Sequence, residues 1–92
     1  MKIAIIIPTY NEAETIGRLL EDVHKEVSNI PNHDFKVLVV DADSPDRTAA
    51  IVRATERAEL LVEPKKRGLG SAYISGMNYA VSKLGADAIM EF

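Results

Sequence analysis

Ninety-two residues suit one small domain and no more. The composition, 47% hydrophobic and 27% charged, is that of an ordinary soluble protein, and a net charge of -3 argues against general nucleic-acid binding. With no cysteine, a disulfide framework, a zinc–thiolate site and a thiol nucleophile are excluded, and the chain fits a reducing compartment.

The N-terminal run Ile3-Ala4-Ile5-Ile6-Ile7 is apolar and mostly β-branched, and Pro8 closes it. It is too short for a signal peptide or a membrane span. It reads as a strand buried on both faces. Asn11 is placed to cap a helix, with Glu14 three residues later as its capping-box partner. Ile16, Leu19, Leu20, Val23 and Val27 fall at helical spacing, and the helix is predicted to stop near Ser28. A loop around Pro31 follows. Phe35 to Val40 forms the second buried strand, which ends at Asp41.

Ser44-Pro45 has the form of an N-cap followed by proline at the first helical position, predicting a helix to about Arg57. Its apolar stripe is thin: Ala50, Ile51 and Ala54. Leu60-Leu61-Val62 is a short third strand. Gly68-Leu69-Gly70 breaks the chain, Ser71 can cap a third helix, and Tyr73, Met77, Ala80, Val81 and Leu84 line one face of it. Gly85 is placed to end that helix. Residues 87–92 begin a fourth strand and the sequence stops within it, as expected of an incomplete domain.

Strands separated by helices of this length imply right-handed crossovers and a parallel sheet. The expected architecture is a Rossmann-like, three-layer α/β/α half-domain over residues 1–92. Ligands of such sheets sit beyond the carboxyl ends of the strands. That rule selects three loops: 8–12, 41–46 and 63–71. In the first, Tyr10 offers a ring and a hydroxyl that suit a planar base. Glu12 stands near a helix start, which favours a carboxylate whether or not it binds anything. Asn11 is expected to serve as a cap rather than a ligand. The second loop carries Asp41, Asp43 and Asp46 within six residues. Asp41 ends a buried strand, so its carboxylate needs donors, which the N–H groups of a nucleobase would supply. Asp43 and Asp46 also suit plain turn chemistry. In the third, Lys65, Lys66 and Arg67 precede a glycine-flexible turn into a helix, a combination suited to a diphosphate. The spacing matches neither a Walker loop nor a dinucleotide fingerprint. His24 and His33 lack metal-ligand spacing and read as surface residues.

Taken together, Ile5-Ile6-Ile7-Pro8-Thr9-Tyr10-Asn11-Glu12, Val39-Val40-Asp41-Ala42-Asp43-Ser44-Pro45-Asp46-Arg47-Thr48 and Lys66-Arg67-Gly68-Leu69-Gly70-Ser71-Ala72 resemble the opening of family 2 glycosyltransferases, and most nearly the polyprenyl-phosphate sugar transferases. The resemblance covers essentially the whole chain. It implies a GT-A type fold and nucleotide contacts from Pro8, Tyr10 and Glu12. It places Asp41 on the base, with Val39 and Asp43 lining that pocket, and Lys66 and Arg67 near the diphosphate. It also implies a GDP- or UDP-linked sugar as donor, a polyprenyl or dolichyl phosphate as acceptor of the intact protein, and a cytoplasmic location, at the cytoplasmic face of a membrane for the intact parent. Family members carry an Asp-x-Asp after the fourth strand that binds Mg or Mn. This sequence stops at Phe92, before that motif, so nucleotide binding without turnover is expected of it, with no metal held. Ala42 stands where many relatives carry an acid.

Two other classes compete. A receiver-type signalling module shares an acidic loop at a strand end, but it needs acids after its first strand and a phosphorylated aspartate after its third. Here those strands end in Pro8-Thr9-Tyr10 and Glu63-Pro64. A self-associating fragment is the other, since open strand edges invite pairing and a homo-oligomer.

Overall fold

The β-branched N-terminal run forms one of the two central strands of the sheet. The computed structural model describes residues 1–64 and 68–92, apart from the side chain of Leu69. Its elements alternate along the chain as β1 (Lys2–Thr9), α1 (Ile16–Ser28), β2 (Asp34–Asp41), α2 (Thr48–Thr55), β3 (Glu59–Val62), α3 (Leu69–Ser82) and β4 (Ala88–Glu91). All strand pairs are parallel, in the order β3-β2-β1-β4. The expected α/β class and parallel sheet are therefore present. No helix among the described residues is long and apolar enough to cross a membrane.

Alternation along β1 and β2 divides the core in two, because successive side chains of a strand point to opposite faces. Ile5, Ile7, Val37 and Val39 pack under Ile16, Leu20 and Val23 of α1 and Val52 of α2. Ile6, Leu38 and Val40 face Ala72 of α3, flanked by Tyr73, Met77 and Ile89. A strand buried on both faces has no room for polar residues until its end, and the polar residues begin at Thr9 and Asp41. The β1–β2 register sets these two side by side.

The α1 stripe falls where its periodicity placed it, and the other two helices differ in detail. Helix α2 turns Thr48 and Val52 inward, leaving Ala50 and Ala54 exposed. Helix α3 buries Ala72, Gly76 and Ala80 at one residue per turn, and Val81 is 61% exposed. The reason is close approach. A Cβ on Gly76 would stand 2.8 Å from Ile6 Cγ2 and 3.1 Å from Val40 Cγ2, so α3 lies against the sheet on its smallest residues.

All three expected helix starts are shifted. Asn11 does not cap α1: it takes a left-handed φ of 55°, and the helix begins at Ile16 after Thr15. Ser44-Pro45 does not open α2, which begins at Thr48 after Arg47 at φ 72°. Ser71 lies inside α3 and not at its cap, which is Gly68. In the first two cases the two expected caps meet each other instead: the Asn11 backbone N–H donates to the Ser44 hydroxyl. The left-handed turn expected at Gly85 is present, at φ 66°.

Gly76→Ala raises helix propensity by about 1 kcal/mol, but the overpacked methyl costs about 1–3 kcal/mol. Urea unfolding is expected to show a lower midpoint for the variant. A raised midpoint would mean that α3 stands farther from Ile6 and Val40 than described.

Candidate nucleotide site at the carboxyl ends of the strands

Because the strands are parallel, their carboxyl ends share one rim, and the loops after β1 and β2 open on it, as does Glu63 at the end of β3. Asp41 lies at its centre with no exposed surface. A carboxylate removed from water needs donors, and three come from the chain itself. The Thr9 and Ser44 hydroxyls donate to Oδ1, each at 2.7 Å, and the Ser44 backbone N–H donates to Oδ2 at 2.9 Å. Around them, the Ala42 N–H donates to the Thr9 carbonyl at 3.1 Å, and the Glu63 N–H donates to the Asp41 carbonyl at 2.8 Å. The donors expected from a nucleobase are thus already supplied in large part by Thr9 and Ser44.

The Ser44 hydroxyl has one proton to donate, and it donates it to Asp41. Its lone pairs then accept the Asn11 N–H at 2.9 Å. The same relay recurs one residue on. The Thr48 hydroxyl donates to Asp46 Oδ1 in a short bond and accepts the Glu12 N–H at 3.0 Å. Asp46 Oδ2 accepts the Ala13 N–H directly at 3.0 Å, and Asp46 Oδ1 accepts the Thr48 N–H at 3.1 Å. Three successive amides of the first loop are therefore held by side chains of the second. Thr48 is fully buried in doing this. Its hydrogen bond to Asp46 holds that carboxyl below the usual aspartate range; burial opposes this, and the Ala13 and Thr48 amides add to it.

The other predicted residues fall in different places. Pro8 is partly buried, whereas Tyr10, Glu12 and Asp43 are exposed on the rim, with Tyr10 at 38%. Asp43 has a left-handed φ of 53°. Glu12 accepts a hydrogen bond from Thr15 at 3.4 Å. Val39 lies elsewhere: its side chain has no exposed surface and belongs to the core beneath α1 and α2. Lys66 and Arg67 lie outside the described residues. A cavity beside the first loop is lined by Pro8, Thr9, Glu12, Thr15, Tyr73 and Phe92 among others, and the Tyr73 hydroxyl donates to the Phe92 carbonyl at 2.7 Å. His24 and His33 are exposed, and His33 packs edge-on to Phe35.

Sequence reasoning passed over Thr9, Thr48 and Glu63 and gave Ser44 a capping role. The available signal was that Ser44, Asp46 and Thr48 place short oxygen-bearing side chains at every second position. Glu63, only 6% exposed, accepts from Ser75 at 2.9 Å and Ser71 at 3.4 Å, which ties the end of β3 to the start of α3.

Asp41 and Asp43 have the spacing of an Asp-x-Asp pair, but they do not fit a divalent ion. Asp41 is enclosed by hydroxyl and amide donors where a cation would need bare oxygens. Among the described residues no three His, Cys, Asp or Glu side chains come together in a way that could hold a metal.

A parallel sheet with a polar rim is shared by many α/β proteins, and comparison with known proteins gives the class. The sequence profile of glycosyl transferase family 2 matches residues 4–87, and the chain belongs to that family. The receiver-type alternative falls with that assignment. The chain is 35% identical over 83 residues to a dolichol-phosphate mannosyltransferase of Pyrococcus furiosus, covering 87% of this chain and 23% of the relative. It is 41% identical over 99 residues to an undecaprenyl-phosphate mannosyltransferase of Micrococcus luteus, covering 99% of this chain and 37% of the relative. The chain thus spans about a quarter to a third of these relatives.

Among solved structures, mannosyl-3-phosphoglycerate synthase from Rubrobacter xylanophilus superposes with a TM-score of 0.68 at 30% identity, over 79% of this chain and 25% of that one. A mannosyltransferase from Pyrobaculum calidifontis, in complex with GDP-Man and Mn2+, gives 0.63 at 29% identity, over 85% and 24%. These neighbours establish the GT-A type fold for the matched part.

Asp46 has a lowered carboxyl pKa in the folded chain, so its stabilising effect is complete above the usual aspartate value and is lost as pH falls through the folded-state value. Asp46→Asn mimics the protonated group. Its urea midpoint is expected to lie below that of the unsubstituted chain at pH 7, and the gap is expected to narrow below about pH 4. A gap independent of pH would rule out the charged form as the source.

Proposed function

We propose that residues 1–92 form the donor-nucleotide-binding part of a mannosyltransferase that uses GDP-mannose, with a polyprenyl phosphate such as dolichyl phosphate as acceptor of the larger protein. The observation that carries this reading is the set of three hydrogen bonds that tie the segment after β1 to the segment after β2. It fixes Tyr10, Glu12 and Asp43 on one rim at the strand ends, where ligands of such sheets bind. The choice of GDP-mannose is supported by the relatives, which are named as mannosyltransferases, and by the neighbour complexed with GDP-Man.

In this reading Pro8 and the Tyr10 ring flank the base, and Glu12 and Asp43 accept from base or ribose hydrogen-bond donors. Asp41 closes the floor of the pocket from beneath. The cations Lys66 and Arg67 neutralise the diphosphate before α3. Transfer to the acceptor is assigned to the larger protein.

Calorimetry at neutral pH is expected to detect GDP-mannose with a dissociation constant in the range of about 0.1–1 mM, and UDP-glucose more weakly. Chelation with EDTA should leave the affinity unchanged, since the described acids do not fit a metal. Tyr10→Ala should weaken binding about tenfold, the loss of a stacked ring. No heat from GDP-mannose, UDP-glucose or the free nucleotides on protein that is folded by circular dichroism would refute the proposal.

A further inference from the structure

In many nucleotide-binding α/β folds, the free amides before the first helix form the phosphate site. Here the equivalent amides are engaged. The N–H groups of Asn11, Glu12 and Ala13 end on Ser44 Oγ, Thr48 Oγ1 and Asp46 Oδ2, at 2.9, 3.0 and 3.0 Å. A phosphate could take them only by displacing oxygens that are already anchored, two of them by second hydrogen bonds to carboxylates. The first loop therefore has its side chains, and not its backbone, to offer a ligand.

Of the three acceptors, Ser44 is the one tied to the fully buried Asp41. Its hydroxyl bonds Asp41 and Asn11, and its own N–H returns to Asp41. One side chain thus joins the buried end of β2 to the amide directly after Tyr10. Asn11, held at φ 55°, sits between Tyr10 and Glu12, so its position orients both. Asn11 and Asp43, on either side of this contact, are both left-handed without being glycine. Such strain persists only where surrounding bonds over-determine the backbone.

We infer that Ser44 is a positioning residue for the nucleotide: its hydroxyl holds Tyr10 and Glu12 at a fixed place relative to Asp41, while the amides of residues 11–13 are closed to phosphate. The inference rests on the donor-binding reading proposed above. It assigns the side chains of the first two loops to the nucleoside.

The test uses the 92-residue chain, GDP-mannose calorimetry and three chain variants. Ser44→Ala is expected to weaken binding about tenfold, the scale of one or two lost hydrogen bonds. Ser44→Thr, which keeps the hydroxyl, should restore affinity to within about threefold on the same argument. Amide hydrogen exchange should accelerate in Ser44→Ala at Asn11 and Glu12 and stay unchanged along α3. Should Ser44→Ala not fold, Ser44→Cys, with its weak S–H donor, takes its place.

Undiminished binding by Ser44→Ala would overturn the assignment. So would a threonine variant as weak as the alanine one, or exchange accelerated uniformly through the chain. If the unsubstituted chain is folded and binds no nucleotide, the functional reading fails first and this inference fails with it.

Discussion

A carboxylate taken out of water at the end of a buried strand cannot stand without donors, and Asp41 finds them in Thr9 and Ser44. Much of the rim depends on how that requirement is met. Thr9 reaches Asp41 because β1 and β2 are in parallel register, with the two residues paired. Ser44 reaches it because the loop folds back on the strand that precedes it. Once the Ser44 proton is committed to Asp41, its oxygen can only accept, and it accepts from the neighbouring loop. Asp46 and Thr48 repeat the arrangement one residue farther along. Each relay runs from backbone amide to hydroxyl to carboxylate.

This arrangement accounts for the shifted helix starts. A short polar side chain near a helix start satisfies one free amide of its own helix. Ser44 and Asp46 instead satisfy amides of the segment leading into α1. Helix α1 begins only where its apolar stripe can reach the sheet, at Ile16. Helix α2 begins with Thr48, whose hydroxyl is part of the second relay. Left-handed residues at 11, 43 and 47 absorb the resulting bends. Beneath the rim, β1 and β2 are regular and closely packed on both faces.

Family membership gives this geometry its context. Ligands of open parallel sheets sit at the strand ends, and here the first two loops are joined there by side-chain hydrogen bonds. Pre-organisation of that kind lowers the ordering cost of binding. On the opposite face of the sheet, Gly76 lets α3 lie close to Ile6 and Val40. Glu63 ties the end of β3 to the first turns of α3. The chain on both sides of residues 65–67 is therefore anchored to the same sheet.

The sequence by itself determined the alternation of strands and helices, the parallel sheet and the family. It could do so because burial on both faces of β1 and β2 demands continuous apolar runs, and because polar residues can resume only where those runs end. The side-chain partners were decided by tertiary structure. Asn11, Ser44 and Asp46 read locally as caps and turn residues, and Val39 read as a pocket residue, because a sequence shows which groups can bond but not which groups the fold brings within reach. Only the β1–β2 register, and the fold-back of the loop after β2, set Ser44 between Asp41 and Asn11 and left Val39 in the core.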